Sequence, residues 1–308
     1  MSPASQADDV FDRHRRLLFT VAYQMLGSVA DAEDTVQDAW LRWSAADRDH
    51  VADPRAYLVR IVSRLALDRL TAASTRRESY VGPWLPEPLM TGAVPVAGGG
   101  APPDPSEAAE VAEQVSLAML VVLESLSPAE RAVFVLREVF GMSVGEVAAA
   151  LDRSEAAVRQ MTHRAKEHVQ ARRPRFDTDR KAQREVTERF LAAAVGGDVE
   201  SLLAAMAPGV VLITDGGGRV KAARRPILGA EKVARFLAAV GPLAGDVPDL
   251  RVEIAEINGA PAVVAWTDDG PYMALQLVLA DGLVEEVLFV ANPDKLAGLG
   301  AAPGSAST

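Results

Sequence analysis

Apolar positions along this chain fall into two helical stretches and a third region where short apolar runs are punctuated by turns. The first stretch, 8–77, is helical in pattern: Val36, Trp40 and Trp43 form an i, i+4, i+7 stripe that a core would take up. The second, about 107–173, carries sharp helix starts. Ser127-Pro128-Ala129-Glu130 combines an N-cap, a proline at the first helical position and a capping-box acid, and Ser143-Val144-Gly145-Glu146 is a second capping box. Ser154 is a third N-cap. These signals predict helices over 128–139, 143–151 and 154–171, broken at Gly141 and at Asp152-Arg153. The third region, 176–297, begins with helices over 178–195 and 198–206, then a strand over 210–214, a turn at Asp215-Gly216-Gly217-Gly218 and a helix over 229–240. Runs at 250–257 and 261–267 flank Asn258-Gly259, and runs at 272–280 and 283–290 flank Asp281-Gly282; both dipeptides are two-residue hairpin signals. Helices followed by a curved antiparallel sheet make this an α+β domain.

Between the helical stretches lies a Pro/Gly-rich linker, 78–110, whose AGGGAPPDP run cannot hold a long helix. It also contains Trp84-Leu85-Pro86-Glu87-Pro88, which reads as a hydrophobic kink packed on a neighbour. The tail, 298–308, is expected to be disordered. Multidomain organisation follows: helical domains over 8–77 and 111–173, and the α+β domain over 176–297.

Composition narrows the chemistry. With no cysteine among 308 residues, disulfides and thiolate metal sites are excluded. No apolar run is long enough to cross a bilayer and the first residues lack a signal peptide's pattern, so a cytoplasmic location without membrane contact is expected. The net charge of −10 argues against indiscriminate nucleic-acid binding, but the charge is unevenly spread. From Arg153 to Arg184 there are ten Lys/Arg against four Asp/Glu, whereas from Phe176 onward there are twelve against eighteen.

The basic block coincides with the helical pair 143–151 and 154–171, joined by a tight turn: the signature of a helix-turn-helix. The second helix of such a motif enters the major groove. Here its exposed positions offer Arg153, Arg159, Gln160, His163 and Arg164 to base edges, with Lys166 suited to phosphate, while Val158 and Met161 face Val147 and Leu151. In the first stretch, Arg60, Arg64 and Arg69 lie along one predicted helix and Arg76-Arg77 extend its charge. Tyr57 is open to two roles, core packing or stacking on a base. On the preceding helix Asp34, Gln37, Asp38 and Leu41 occupy a face away from the apolar stripe.

The segment LSPAERAVFVLREVFGMSVGEVAAALDRSEAAVRQMTHRAKEHV resembles region 4 of extracytoplasmic-function sigma factors, the module that reads the promoter −35 element. DAEDTVQDAWLRW, 31–43, resembles their region 2.2, and DPRAYLVRIVSRLALDRL, 53–70, their −10-reading segment. The resemblance implies that Asp34, Gln37, Asp38 and Leu41 meet the clamp of the largest RNA polymerase subunit. It implies that Tyr57, Arg60, Arg64, Arg69, Arg76 and Arg77 face the −10 element. It also suggests a −35 element near TGTCA. Many members carry asparagine where Arg64 stands, a departure that leaves base assignment there open.

The third block resembles the SnoaL-like, nuclear-transport-factor-2-like fold, and the whole resembles the sigma-J-type group in which that domain is fused to a sigma core. Three motifs carry the likeness: Trp84-Leu85-Pro86-Glu87-Pro88, Asp215-Gly216-Gly217-Gly218-Arg219 and Asn292-Pro293-Asp294-Lys295-Leu296. The group often has lysine where Arg219 stands. A regulatory interface is therefore expected to involve Trp84, Pro86, Asp215 to Arg219, and Asn292, Pro293, Asp294 and Lys295. The third block has no histidine, so catalysis there would depend on carboxylates such as Asp215, Glu253 or Asp268, with Tyr272. Protein contact is preferred over ligand sensing, and ligand sensing over catalysis. Expected partners are core RNA polymerase and promoter DNA, with a small-molecule ligand of the third block left open and no dedicated anti-sigma partner, cofactor or metal. Two rivals stand beside this reading: a one-component helix-turn-helix regulator, and a SnoaL-like isomerase or cyclase carrying a DNA-binding tether.

Overall fold

The structure, a computed structural model, describes residues 3–47, 51–77, 79–91, 116–172 and 179–302; for 3–8 and 74–77 it describes the backbone only. It divides into two compact units. Of the described residues, one gathers 3–79 with 119–172, and the other gathers 80–91 and 116–118 with 179–302.

In the first unit, α1 (Pro3–Leu26), α2 (Val29–Ala45) and α3 (Pro54–Arg77) pack on one another. Ser28 caps α2 through the Asp31 amide, and the stripe on α2 is largely buried, with Val36 and Trp43 inside and Trp40 edge-on to Phe11. After α4 (Leu117–Leu123), α5 (Pro128–Phe134) continues through a π-helical turn, Val135–Val139. Both expected capping boxes are formed, at Ser127/Glu130 and Ser143/Glu146. The Ser143 hydrogen bonds hold the Glu146 carboxyl below the usual carboxylate range. Between α6 (Val144–Leu151) and α7 (Glu155–Arg172), Asp152 takes the left-handed conformation at φ 54°, which makes the sharp turn of the helix-turn-helix. Val147 and Leu151 are buried, as are Val158 and Met161 across that turn.

The second unit holds α8 (Arg180–Gly196), α9 (Val199–Ala205), α10 (Ala230–Val240) and a six-stranded sheet in the order β2-β1-β6-β5-β4-β3. The strands are β1 (Met206–Asp215), β2 (Ile227–Leu228), β3 (Arg251–Ile257), β4 (Ala260–Thr267), β5 (Gly270–Ala280) and β6 (Leu283–Val290). The Asn258-Gly259 and Asp281-Gly282 turns have both residues at positive φ, as the two-residue hairpin requires. The sheet is mixed rather than wholly antiparallel, because β1 and β6 run parallel. That pair is joined by the entire meander, so its direction leaves no local turn signal. The two-residue β2 was not foreseen; it is too short to carry a pattern.

Alternation sorts each strand between two faces. Val210, Leu212, Val263, Leu275, Leu277, Val284 and Val287 join Phe190, Leu202, Val233 and Leu237 of the helices in one core. The opposite face carries Asp215, Val264, Gln276, Leu288 and Val290, all buried. Over it lie the linker segment 80–91 and the chain after β6. Leu85, Leu296, Leu299 and Ala302 are buried there, the Trp266 indole donates to Gly300 O at 3.2 Å, and Met90 bridges Ile257. The tail expected to be disordered from 298 thus stays packed through Ala302; residues 303–308 lie outside the described ones. A sheet buried on both faces suits the parallel pair at its centre.

Glu286 lies on this second face between Val211 and Val278. Burial, and then the neighbouring Glu285, push its carboxyl above the usual range. A raised carboxyl pKa favours the folded state at low pH, and that contribution is lost as pH rises through the folded value. Glu286→Gln should therefore raise the thermal midpoint at neutral pH by about 3 °C. The gain should vanish near pH ~4, where glutamate is protonated in both states. Differential scanning fluorimetry across that range checks it.

Candidate functional site: promoter-facing helices and a buried carboxylate

The exposed side of α7 and of the turn before it is mostly polar. Arg153, Arg159, Gln160, His163, Arg164 and Lys166 are all exposed, while Val158, Met161, Ala165 and Val169 anchor the other side. Four of these six side chains are engaged with acids: Arg159 with Glu155 at 2.5 Å, His163 with Glu167 at 3.5 Å, Arg164 with Glu130 at 3.0 Å and Lys166 with Glu138 at 2.8 Å. Exposed pairs of this kind are worth about 0–1 kcal/mol, so a phosphate or a guanine edge competes with them easily.

On α3, Tyr57 serves packing first: it is half-buried, its ring centroid is 5.8 Å from that of Trp43, and the Arg60 guanidinium lies 5.3 Å from its ring centre. Arg69 reaches across to α2, bonding Asp38 at 2.7 Å and Thr35 Oγ1 at 3.0 Å. Asp38 is thus tied up while Asp34, Gln37 and Leu41 remain exposed; Leu41, at 58%, is a large apolar side chain left in water. The side chains of Arg76 and Arg77 lie outside the described ones.

Arg64 has a different surrounding from the one its neighbours on α3 suggest. Its guanidinium donates to Ala150 O at 2.8 Å and Ala149 O at 3.1 Å, carbonyls in the last turn of α6. Arg131 on α5 makes the reciprocal contact: 1% exposed, it donates to Gln24 O in the last turn of α1, at 3.3 and 3.1 Å, and pairs with Glu124. Both arginines satisfy carbonyls that a helix end leaves without an amide and place positive charge at the negative dipole end. Arg131 could not be found from the sequence, where it appears as one more exposed-helix cation.

The second cluster surrounds Asp215, the last residue of β1, which is 0% exposed. One carboxylate oxygen accepts from the Tyr80 hydroxyl at 2.6 Å and the Gly217 amide at 3.1 Å; the other accepts from the Leu85 amide at 2.8 Å and Lys295 Nζ at 2.6 Å. Lys295, also buried, donates to Leu85 O at 2.6 Å and lies 3.9 Å from the Trp84 ring centre and 4.8 Å from that of Tyr80. Asn292 donates to the Tyr80 oxygen at 2.9 Å, and its amide joins that of Ala291 on Asp215 O. Burial, and then the Asp215 carboxylate, push the Tyr80 hydroxyl well above its ordinary range, so it stays a donor.

Geometry explains the residue types. A Cβ on Gly217 would fall 2.2 Å from Asn292 Nδ2, and Gly217 sits at φ 57°; a Cβ on Gly216 would meet Ala222 at 2.7 Å. Gly218 lies against Val81 of the linker. Arg219 pairs with Asp294 at 3.0 Å, exposed on both sides, and Pro293 is exposed while Pro86 is buried. The structure therefore brings together all three motifs, and adds Tyr80 and the Leu85 backbone. Among the carboxylates weighed for catalysis, Asp215 has both oxygens occupied, Asp268 pairs with Arg251 at 2.8 Å and Glu253 is exposed on β3. Tyr272 is exposed as well.

Residues 10–76 match the family model Sigma-70 region 2, and residues 116–169 match Sigma-70, region 4. The ECF RNA polymerase sigma factor SigJ of Mycobacterium tuberculosis is 39% identical over 296 residues, covering 94% of this chain and 92% of its own. The Probable ECF RNA polymerase sigma factor SigI of the same species is 30% identical over 300 residues, covering 96% and 97%. The crystal structure of Mycobacterium tuberculosis SigJ superposes with a TM-score of 0.73 at 36% identity, over 94% of this chain and 97% of that one. With both family models matched in order and the SigJ likeness running over nearly the whole of each chain, the chain belongs to the extracytoplasmic-function RNA polymerase sigma factors, as a homologue of SigJ.

Proposed function

We propose that this sigma factor is controlled in cis, its C-terminal α+β domain holding the linker between the two promoter-reading modules. The observation that carries the reading is the Asp215–Lys295 pair, whose partners Tyr80, Trp84 and Leu85 all belong to the linker. Twelve residues, 80–91, lie on the domain, which withdraws up to about 40 Å of extended chain from the linker's reach. A −35 and a −10 element are about 25 base pairs apart, roughly 85 Å of duplex. Modules packed together through Arg64 and Arg131 cannot span that distance, so promoter reading needs them parted and the linker extended. Control built into the chain leaves no need for a dedicated anti-sigma partner, and the occupied oxygens of Asp215 favour a non-catalytic domain.

In the open state Arg153, Arg159, Gln160, His163, Arg164 and Lys166 read the −35 element. Tyr57, Arg60, Arg64, Arg69, Arg76 and Arg77 face the −10 element, and Asp34, Gln37, Asp38 and Leu41 meet the largest polymerase subunit, which places the protein with the polymerase in the cytoplasm. Arg64 would exchange two helix-end carbonyls for DNA.

Transcription reconstituted with core polymerase on a cognate promoter tests the control. Tyr80→Phe with Trp84→Ala leaves the Asp215–Lys295 pair intact while removing a hydrogen bond to a charged group, worth about 1.5–3 kcal/mol, and a ring over the ammonium. Output should rise several-fold. Chains ending at 175 or at 291 should also differ from the full-length protein; unchanged output in the double variant and both truncations would sink the idea. For the −35 contact, Arg159→Ala should cost about 1–3 kcal/mol in promoter affinity and relax preference at one base pair, measured with a −35 substitution panel.

A further inference from the structure

The loop between β1 and β2 has an electrostatic character opposite to its domain. From Phe176 onward acids outnumber bases eighteen to twelve, yet Arg219, Lys221, Arg224 and Arg225 fall within seven positions. Most arginines of this domain have an acid beside them: Arg180 with Glu256, Arg184 with Glu188, Arg235 with Glu231, Arg251 with Asp268. Among the described residues, Lys221, Arg224 and Arg225 have none, and all three are exposed. Like charges crowded without counter-charges repel, a standing cost unless something anionic relieves it.

Lys221 and Arg224, with Arg219, line a cavity of about 360 Å³, and Arg225 adjoins them in sequence. Residues 214 and 216–224 line it together with Val81 and Gly82 of the linker, and no carboxylate lies among the lining residues. Gly218, Lys221 and Ala222 are among the lining residues, and their amides have no acceptor among the described residues. The loop is held in shape from within: Thr214 Oγ1 donates to Ala223 O at 3.0 Å, and the Arg219 and Val220 amides donate to Gly216 O. Gly217 and Gly218 take positive φ, which lets the backbone turn tightly here, and a turn with amide donors left over is the kind of loop that serves phosphate elsewhere.

We infer that this cavity binds a small phosphate-bearing molecule, up to about the size of a nucleotide. Its volume falls in the range of small-molecule sites, about 300–1,000 Å³, and a concave site walled by loop and linker suits a compact anion better than the convex edge of a duplex. Lys221 and Arg224 neutralise the phosphate and the loop amides orient it. Val81 and Gly82 complete the wall, with Gly82 approaching the Arg224 backbone. Because the linker supplies part of the site, the ligand binds the linker-docked state more tightly than the released one, and occupancy favours docking by the same factor. The site itself does not rest on the cis-control reading, since binding is read without transcription.

Isothermal titration of the full-length protein at fixed ionic strength tests this, with inorganic pyrophosphate and ADP as probes. Saturable one-to-one binding is expected for at least one. Lys221→Gln with Arg224→Gln should weaken it at least tenfold, whereas Lys181→Gln with Lys232→Gln, the same charge loss elsewhere on the domain, should leave it unchanged. Tyr80→Phe with Trp84→Ala should weaken it several-fold. Absence of saturable binding, or equal weakening by the two lysine-containing charge variants, overturns the site. So does a result in which the loop variant loses only affinity for duplex DNA, which would make the loop a backbone contact. Equal affinity in the linker variant overturns the linker's share in it.

Discussion

A carboxylate taken wholly out of water must be met on every side, and the C-terminal unit of this protein is arranged around that requirement at Asp215. Leaving such a group unpaired costs about 3–5 kcal/mol, a large share of a domain's stability. Its donors come from three places far apart in the chain: the linker at Tyr80 and Leu85, the adjoining loop at Gly217, and the segment after β6 at Lys295. The glycines follow from the crowding, since a side chain at 217 would occupy the space of Asn292. The same residue ends β1, and its own carbonyl receives the chain leaving β6 through the Ala291 and Asn292 amides. One aspartate therefore closes the parallel strand pair and binds the linker to it.

The helical unit uses another electrostatic device, an arginine on the carbonyl end of a helix. Arg64 and Arg131 apply it in opposite directions between the first three helices and those around the helix-turn-helix. The two are unequal. Arg131 is buried, so removing the Gln24 carbonyl would leave its Nε and Nη2 donors unmet even with Glu124 still paired. Arg64 stays exposed, and water can replace the carbonyls of Ala149 and Ala150 at little cost. Of the two, Arg64 is the contact suited to parting, and it stands on the helix that the family resemblance assigns to the −10 element.

Local signals made much of this legible. The capping boxes at Ser127 and Ser143 and the hairpin turns at Asn258-Gly259 and Asp281-Gly282 depend on a few adjacent residues, and each forms as its sequence implies. The three motifs 84–88, 215–219 and 292–296 were recognisable as a set because a family shares them, and a common interface was expected of them; that the Asp215 carboxylate is its centre was not, because which donors reach it is a property of the fold. What stayed hidden is non-local. The parallel pairing of β1 with β6 is separated by the whole meander, Tyr80 has no neighbour in sequence that betrays a buried hydroxyl, and Arg131 looks like any helix cation until Gln24 O is beside it. The continued packing to Ala302 rests on contacts with distant strands, among them the Trp266 indole on Gly300 O and the burial of Leu296 and Leu299.

On the proposed cis control, a charge-centred contact serves the linker better than more apolar area would. An apolar seam weakens in proportion to the area exposed, and a linker stripped of it would leave a sticky patch on both partners. A charge-centred lock is directional and short-ranged. When the linker leaves, Lys295 and Asp215 can still pair with each other, and water can take the places of the Tyr80 hydroxyl and the Leu85 amide. The polar part of the linker's hold is then the difference between protein and water hydrogen bonds, a few kcal/mol, and it adds to the burial of Leu85 and Pro86. Moving a two-state equilibrium from one side to the other takes about 5.5 kcal/mol of preferential binding. On that reading, a contact whose polar part is this modest lies within reach of preferential binding to the released state, whereas a longer seam of buried leucines would not.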